Sequence, residues 1–297
     1  EIRFCDWSSD VCSSDLMIGG LYYINGSHNV GIGTIVEFVM YINMLTFPVS
    51  AIGLTASMIQ RAAASQKRIN EFLETEPTIK EPVKTSEIAL EGNIQFENVE
   101  FTYKDTGIQA LKNFNLQIKK GEKVAIVGRT GSGKTTVAQL LLRMYDPIHG
   151  KIELDNHNIK NINLGTLREQ ISYVPQDVFL FSETVHNNIS FGLAQADTAT
   201  VEKAATQAYV HKEIAGFPEG YQTMIGERGV TLSGGQKQRI SIARALIKDP
   251  AIVIFDDCLS AVDVKTEKEI ITSLNDYLQN KTAIIITHPV LDRKSVV

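Results

Sequence analysis

Gly128-Arg129-Thr130-Gly131-Ser132-Gly133-Lys134-Thr135-Thr136 satisfies the pattern G-x-x-x-x-G-K-[ST], with both glycines, the lysine and the hydroxyl in place. Upstream, Val124-Ala125-Ile126-Val127 is a short apolar run of β-branched character. Downstream, Val137, Leu140, Leu141 and Met144 recur at helical spacing as far as Tyr145, so the loop joins a buried strand to a helix. Gly131 and Gly133 permit torsions closed to other residues, so successive amide N–H groups can turn inward around phosphate oxygens at the positive end of that helix. Lys134 then supplies a point charge for the β and γ phosphates and Thr135 a hydroxyl for Mg²⁺. Gly128, Ser132 and Thr136 belong to the same expected cradle. Four fixed positions of this kind arise by chance in roughly one chain in a hundred of this length, and the flanking strand and helix lower that further.

The composition around the loop is ordinary for a globular chain: 297 residues, 43% hydrophobic and 21% charged. It conceals an asymmetry, since Met17 to Ile59 carries one formal charge, Glu37, and the remainder is charge-rich. A net charge of −5, with no basic stripe carrying interleaved aromatics, excludes a nucleic-acid surface. Cys5, Cys12 and Cys258 have neither zinc spacing nor a disulfide framework, which fits a reducing compartment for the soluble part.

Residues 1–16 fit nothing that follows. Trp7-Ser8-Ser9-Asp10-Val11-Cys12-Ser13-Ser14-Asp15-Leu16 is a five-residue near-repeat without apolar periodicity or signal-peptide design, and reads as foreign or junction sequence. Met17 to Ile24 is apolar but far short of the roughly 20 residues that cross a bilayer, like the end of a membrane helix. After the polar turn Asn25 to Asn29, Ile32 to Ile59 runs almost without charge and spans ~42 Å as a helix, so it should cross the bilayer and continue into water. Pro48 and Gly53 inside it are tolerated where neighbouring helices absorb the disruption. Arg61, Lys67 and Arg68 mark the cytoplasmic side and put the turn outside. A buried helix of a soluble protein is the competing reading, but such helices rarely keep one charge in so many residues. Residues 17–74 are thus read as the C-terminal part of a membrane domain. Residues 75–92, with Pro77 and Pro82, read as a linker. Ile94, Phe96, Val99, Phe101 and Tyr103 then alternate with a slip at Asn98, as in a bulged strand, and Leu116 to Ile118 forms a second strand.

Four further motifs follow the phosphate loop in order: Gln176 in Val174-Pro175-Gln176-Asp177, Leu232-Ser233-Gly234-Gly235-Gln236, the apolar strand Ile252 to Phe255 ending in Asp256, and His288. With them the chain resembles the ATPase subunit of ABC transporters over residues 93 to about 290. The preceding span resembles the last membrane helix of ABC exporters with fused membrane and ATPase domains. The resemblance implies an α/β P-loop NTPase fold, with a mixed core sheet, an antiparallel β subdomain and a helical subdomain, preceded by a transmembrane helix. It implies ATP and Mg²⁺ as cofactors. Tyr103 would stack on adenine, Asp256 would hold Mg²⁺ together with Thr135, Gln176 would touch metal and attacking water, and His288 would read the γ-phosphate. Ser233, Gly235 and Gln236 would face the γ-phosphate held by a partner subunit, since their helix N-terminus offers an anion site. Phe179 to Phe191 and Gly226-Glu227-Arg228-Gly229 would touch the membrane domain, and Ser260 to Asp263 the dimer interface.

The chain departs from the family in three places. Asp257 stands where a glutamate usually polarises the attacking water. Reference carboxyl pKa values are close, but one methylene less withdraws the carboxylate by ~1.5 Å, and a ~1 Å misplacement costs on the order of a hundredfold in rate. The chain's own site is therefore expected to be a catalytic but slow one, in a heterodimer whose partner borrows Leu232 to Gln236; a homodimer with slow turnover is the alternative. His288-Pro289 lacks the usual basic residue, and the chain stops at Val297 before the family's closing strands and helix, so residues 291–297 read as a non-native tail. The expected activity is ATP-driven export from a multi-pass protein in the cell membrane, its ATPase domain in the cytoplasm. Membrane lipid and a hydrophobic solute, drug or lipid-like, follow from the apolar lining between Ile35 and Thr55. A hydrolysis-inert regulatory subunit is the second class. A soluble ABC protein of repair or translation is argued against by the span at Ile32 to Ile59.

Overall fold

The computed structural model describes residues 7–26, 30–81, 88–193, 195–226, 229, 231–258 and 264–287. Packing divides the chain into two units, Glu1–Pro77 and Thr78–Val297, a boundary inside the expected linker.

The first unit is two helices. Helix α1 (Trp7–Ile24) runs without a break across the boundary expected between residues 16 and 17. Helix α2 (Ile32–Leu73) has 42 residues, about 63 Å at ~1.5 Å per residue, and contains Pro48. It continues past Ile59 into a polar stretch where Lys67 and Glu71 pair at 3.9 Å. No residue of α2 is buried, and it is long and apolar enough to cross a membrane, alone among the described helices. Its polar side chains satisfy themselves locally. Asn43, Thr46 and Thr55 donate to the carbonyls of Val39, Ile42 and Ala51, and Tyr41 donates to Glu37 Oε1 at 2.7 Å. Such back-bonding leaves fewer polar groups unpaired in a hydrocarbon surrounding.

The second unit is built on two sheets. The elements in chain order are β1 (Ile94–Thr102), β2 (Gln109–Ile118), β3 (Lys123–Val127), α3 (Lys134–Leu141), β4 (His149–Leu154), β5 (His157–Asn158), α4 (Leu164–Gln170) and β6 (Ile171–Val174). There follow α5 (Val185–Ser190), α6 (Thr198–Gln207), α7 (His211–Ala215), α8 (Gly234–Leu246), β7 (Ile252–Asp256), α9 (Val264–Tyr277) and β8 (Thr282–Thr287). One sheet has the order β2-β1-β4-β5 and antiparallel pairing; the other has the order β3-β8-β7-β6, and every pair in it is parallel. The parallel sheet is buried on both faces at β7 and over most of β6 and β8. The edge strand β3 has no buried residue, with Lys123, Ala125 and Val127 exposed, so the buried strand expected before the phosphate loop is instead half-covered. Ile252, Ile254, Ile284 and Ile286 join one core with α3 and the antiparallel sheet, while Val253, Phe255 and Ala283 join a second core with α5, α6, α8 and α9. Alternation along β7 thus feeds both layers, which explains why its sequence is continuously apolar.

The slip at Asn98 is a bulge: the β1–β2 register shifts between Phe96 and Val99, and Asn98 has φ +48°. Two sequence expectations are corrected. Strand β2 begins at Gln109, not Leu116, because Asn113, at φ +46°, breaks the alternation that would have revealed its first half. Helix α3 starts at Lys134 and stops at Leu141, because Arg143 turns left-handed at φ +49°; Met144 is exposed and is not part of the buried stripe.

Packing of the second unit also begins earlier than residue 93. Leu90 is buried, the Leu90 amide donates to Gln170 Oε1, and Gln170 Nε2 donates to the Ile88 carbonyl at 2.7 Å. Asp155 accepts from the amides of Glu91, Gly92 and Asn93 and from Asn93 Nδ2. Burial works to raise the Asp155 carboxyl, and these hydrogen bonds outweigh it, holding the group below its ordinary range.

Candidate functional site

Because the four strands are parallel, their carboxyl ends lie on one edge, where ligands of open α/β sheets bind. The phosphate loop leaves β3 there, Asp256 and Asp257 end β7, and Gln176 follows β6. His288 follows β8, whose last residue is Thr287; His288 itself lies outside the described residues, as do Ser260 to Asp263, Glu227 and Arg228.

The loop is wrapped around its lysine. Lys134 is 7% exposed, and its Nζ donates to the carbonyls of Gly128 at 2.7 Å and Arg129 at 2.9 Å. Gly131 and Gly133 have φ of +80° and +86°. A Cβ on Gly133 would stand 2.4 Å from the Ala110 carbonyl oxygen, so β2 passes too close for any other residue. Gly131 and Ser132 are exposed, and Thr136 is buried beneath them. Tyr103 is tied to the same helix: its hydroxyl pairs with Thr136 Oγ1 at 2.9 Å and donates to Gln139 Oε1 at 2.8 Å. Its ring packs edge-on against Phe101 and Tyr145.

Asp256 is 2% exposed and accepts from the Tyr173 hydroxyl at Oδ2, 3.0 Å away. Burial first, then the charge and hydrogen bond of Asp256, push the Tyr173 hydroxyl well above the ordinary tyrosine range, so it stays a donor. The next residue, Asp257, sits at φ +44°, a region Asp enters more readily than Glu, while its amide still donates to the Ile286 carbonyl at 2.9 Å. Gln176 Nε2 reaches Asp257 Oδ2 at 3.4 Å, so the structure brings these two residues together. Cys258 is buried behind them, and burial pushes its thiol up to about 12, which leaves it inert. Thr135 and Asp256 offer hard oxygens, and among the described residues no cluster of three His, Cys, Asp or Glu exists. That donor set fits Mg²⁺, which is held by few protein groups together with phosphate and water.

The signature stretch is a capping box. Ser233 Oγ accepts from the Gln236 amide at 3.2 Å, and Gln236 Oε1 accepts from the Ser233 amide at 2.9 Å. Ser233 and Gly234 are exposed, so the N-terminus of the 13-residue α8 opens outward.

Two features escaped sequence reasoning. One is Tyr173, a strand tyrosine whose partner lies 83 residues away. The other is Arg244 on α8, which donates to the carbonyls of Asn188 and Phe179 and to Asn188 Oδ1, with its guanidinium over the rings of Phe181 and Phe191. Burial pulls this guanidinium down to about 10, so it keeps its charge at neutral pH. Asn188, fully buried, also donates to the carbonyls of Phe181 and Thr184. No local pattern marks either residue, since each acts through partners remote in sequence.

A phosphate loop at the carboxyl edge of a parallel sheet, with two successive aspartates at the end of β7, one strand removed across β8, defines the α/β nucleotide-binding class. Comparison with known proteins narrows it. A family model described as ABC transporter matches residues 111–260, and the chain belongs to that family. It is 42% identical over 281 residues to the probable multidrug resistance ABC transporter ATP-binding/permease protein YheI of Bacillus subtilis, covering 92% of this chain and 48% of that protein. It is 38% identical over 276 residues to ATP-binding cassette sub-family B member 6 of Mus musculus, covering 92% of this chain and 33% of that protein. Among solved structures, a bacterial Atm1-family ABC exporter with ATP bound aligns with TM-score 0.74 and 31% identity, over 94% of this chain and 51% of that one. The chain thus spans about half the length of the first relatives it matches.

Proposed function

We propose that this chain is the ATP-driven part of an exporter, coupling ATP binding and hydrolysis to outward movement of a solute across a membrane. The observation that carries the reading is the meeting of the phosphate loop, Asp256, Asp257 and Gln176 at one sheet edge, in a chain that also carries the apolar α2. Lys134 and the amides of Gly131 to Thr135 hold the phosphates, and Tyr103 stacks on adenine. Thr135 and Asp256 hold Mg²⁺, with Gln176 reaching towards it. When bound there, the ion would supply positive charge against the phosphate oxygens during phosphoryl transfer. Gln176 and Asp257 orient the attacking water, and His288 reads the γ-phosphate. The exposed N-terminus of α8, with Ser233, Gly235 and Gln236, serves ATP bound by a second half-transporter chain.

Asp257 makes the chain's own site a slow one, so a heterodimer with a glutamate-bearing partner is the favoured assembly. The alternative of a homodimer carries the same residues in both sites. The apolar surface of α2 and the multidrug name of YheI support a hydrophobic cargo and a multi-pass protein in the cell membrane, with the nucleotide unit in the cytoplasm. The test is equilibrium ATP binding by the full-length protein in lipid. Lys134→Met should weaken binding roughly 30-fold or more, the effect of losing about 2 kcal/mol or more of charge contact. Equal affinity in variant and natural protein, with unchanged thermal unfolding, would remove the phosphate-loop reading.

A further inference from the structure

We propose that Tyr173 is a positioning residue for the metal-holding carboxylate, its hydroxyl occupying Asp256 Oδ2 and committing the other oxygen to the ion's side. The inference rests on the proposed binding of Mg²⁺ and ATP at this sheet edge. Three observations carry it.

The hydroxyl lies 3.0 Å from Oδ2, and the carboxylate it binds is 2% exposed, so water has little access to replace it. Strand β6 pairs in parallel with β7, setting Tyr173 opposite Ile254 and Val174 opposite Phe255, so the ring reaches diagonally towards the end of the neighbouring strand. The tyrosine is packed against the same core as α3, the helix that bears Thr135. A buried aspartate with no such donor could rotate about its two side-chain torsions. With the donor, its plane is fixed before any ligand arrives.

Carboxylates that hold metals are commonly fixed by a second hydrogen bond, and removing it weakens metal affinity 10- to 100-fold. Tyr173→Phe keeps the ring and its packing and deletes only the donor. The experiment uses the full-length protein in lipid and the fluorescent nucleotide TNP-ATP, titrated first in EDTA and then at graded Mg²⁺. In EDTA the natural protein and Tyr173→Phe should bind alike, which also shows that the variant folds. With Mg²⁺, the concentration that gives half of the metal's effect should rise roughly tenfold or more in Tyr173→Phe. Asp256→Asn should abolish the metal's effect altogether. Superimposable Mg²⁺ curves for natural protein and Tyr173→Phe would overturn the inference alone. Loss of binding in EDTA as well would assign Tyr173 to the fold and also overturn it. A natural protein that binds no nucleotide with or without Mg²⁺ would defeat the functional reading, and this inference with it.

Discussion

Gly133 and Gly131 share a left-handed backbone, and their surroundings separate their roles. A methyl group on Gly133 meets the Ala110 carbonyl oxygen at 2.4 Å, whereas one on Gly131 meets nothing within 4 Å. Gly131→Ala should therefore cost about 1 kcal/mol, the left-handed penalty alone. Gly133→Ala adds a forced contact worth about 2 kcal/mol and should cost about 3 kcal/mol in all, read from denaturant unfolding of the protein in detergent. Equal losses would mean that β2 does not press on the loop. Asp257 shows the same principle with another outcome. Its φ of +44° is one that aspartate tolerates, so the departure from glutamate agrees with the local backbone. At this scale the loop residues were legible because their types recur at fixed spacing between an apolar run and a helix, although the contact that demands Gly133 comes from Ala110 on β2. The Tyr103 hydroxyl bridge to Thr136 and Gln139 was not, since it joins residues 33 and 36 positions apart.

Among the elements, α8 joins two parts of the site. Its N-terminus carries the signature capping box, and its body, through Arg244, is stitched to the segment from Phe179 to Phe191 that leads away from Gln176. Phe181 and Phe191 stack at 4.4 Å beside the guanidinium. Helix and segment should move as one body. Arg244→Met strands the carbonyls of Asn188 and Phe179 and should cost about 3 kcal/mol. For a domain of this size that lowers the melting temperature by roughly 6 to 12 °C. A fall of less than about 2 °C would show that the stitching contributes nothing. Strands β3, β7 and β8 and helix α8 were readable from apolar runs and capping residues. The start of β2 and the end of α3 were not, because Asn113 and Arg143 adopt left-handed torsions that interrupt the apolar spacing; asparagine enters that region readily, but nothing in the sequence says which asparagine does, and arginine seldom does.

As a molecule, the chain comprises two units of opposite character. One is a helical pair in which α2, apolar as far as Ile59, is unburied along its whole length, and the other a nucleotide-binding unit of two sheets whose edge gathers Lys134, Asp256, Asp257 and Gln176. That gathering was foreseen only through the resemblance the motifs carry; the physical reason, that parallel strands bring every carboxyl end to one edge, comes from the sheet topology. Linker and domain were less legible: Pro77 and Pro82 suggested a linker over residues 75–92, yet Arg143 binds Lys80, Gln170 binds Ile88 and Leu90, and Asp155 binds Glu91, Gly92 and Asn93 within the second unit. We propose that this machinery binds ATP and turns it over slowly because Asp257 falls short of the attacking water. The most direct measurement is steady-state ATP hydrolysis by the purified full-length protein beside its Asp257→Glu variant. The account predicts a gain of roughly 10- to 100-fold for Asp257→Glu; natural protein that already turns over within about threefold of the variant would contradict it.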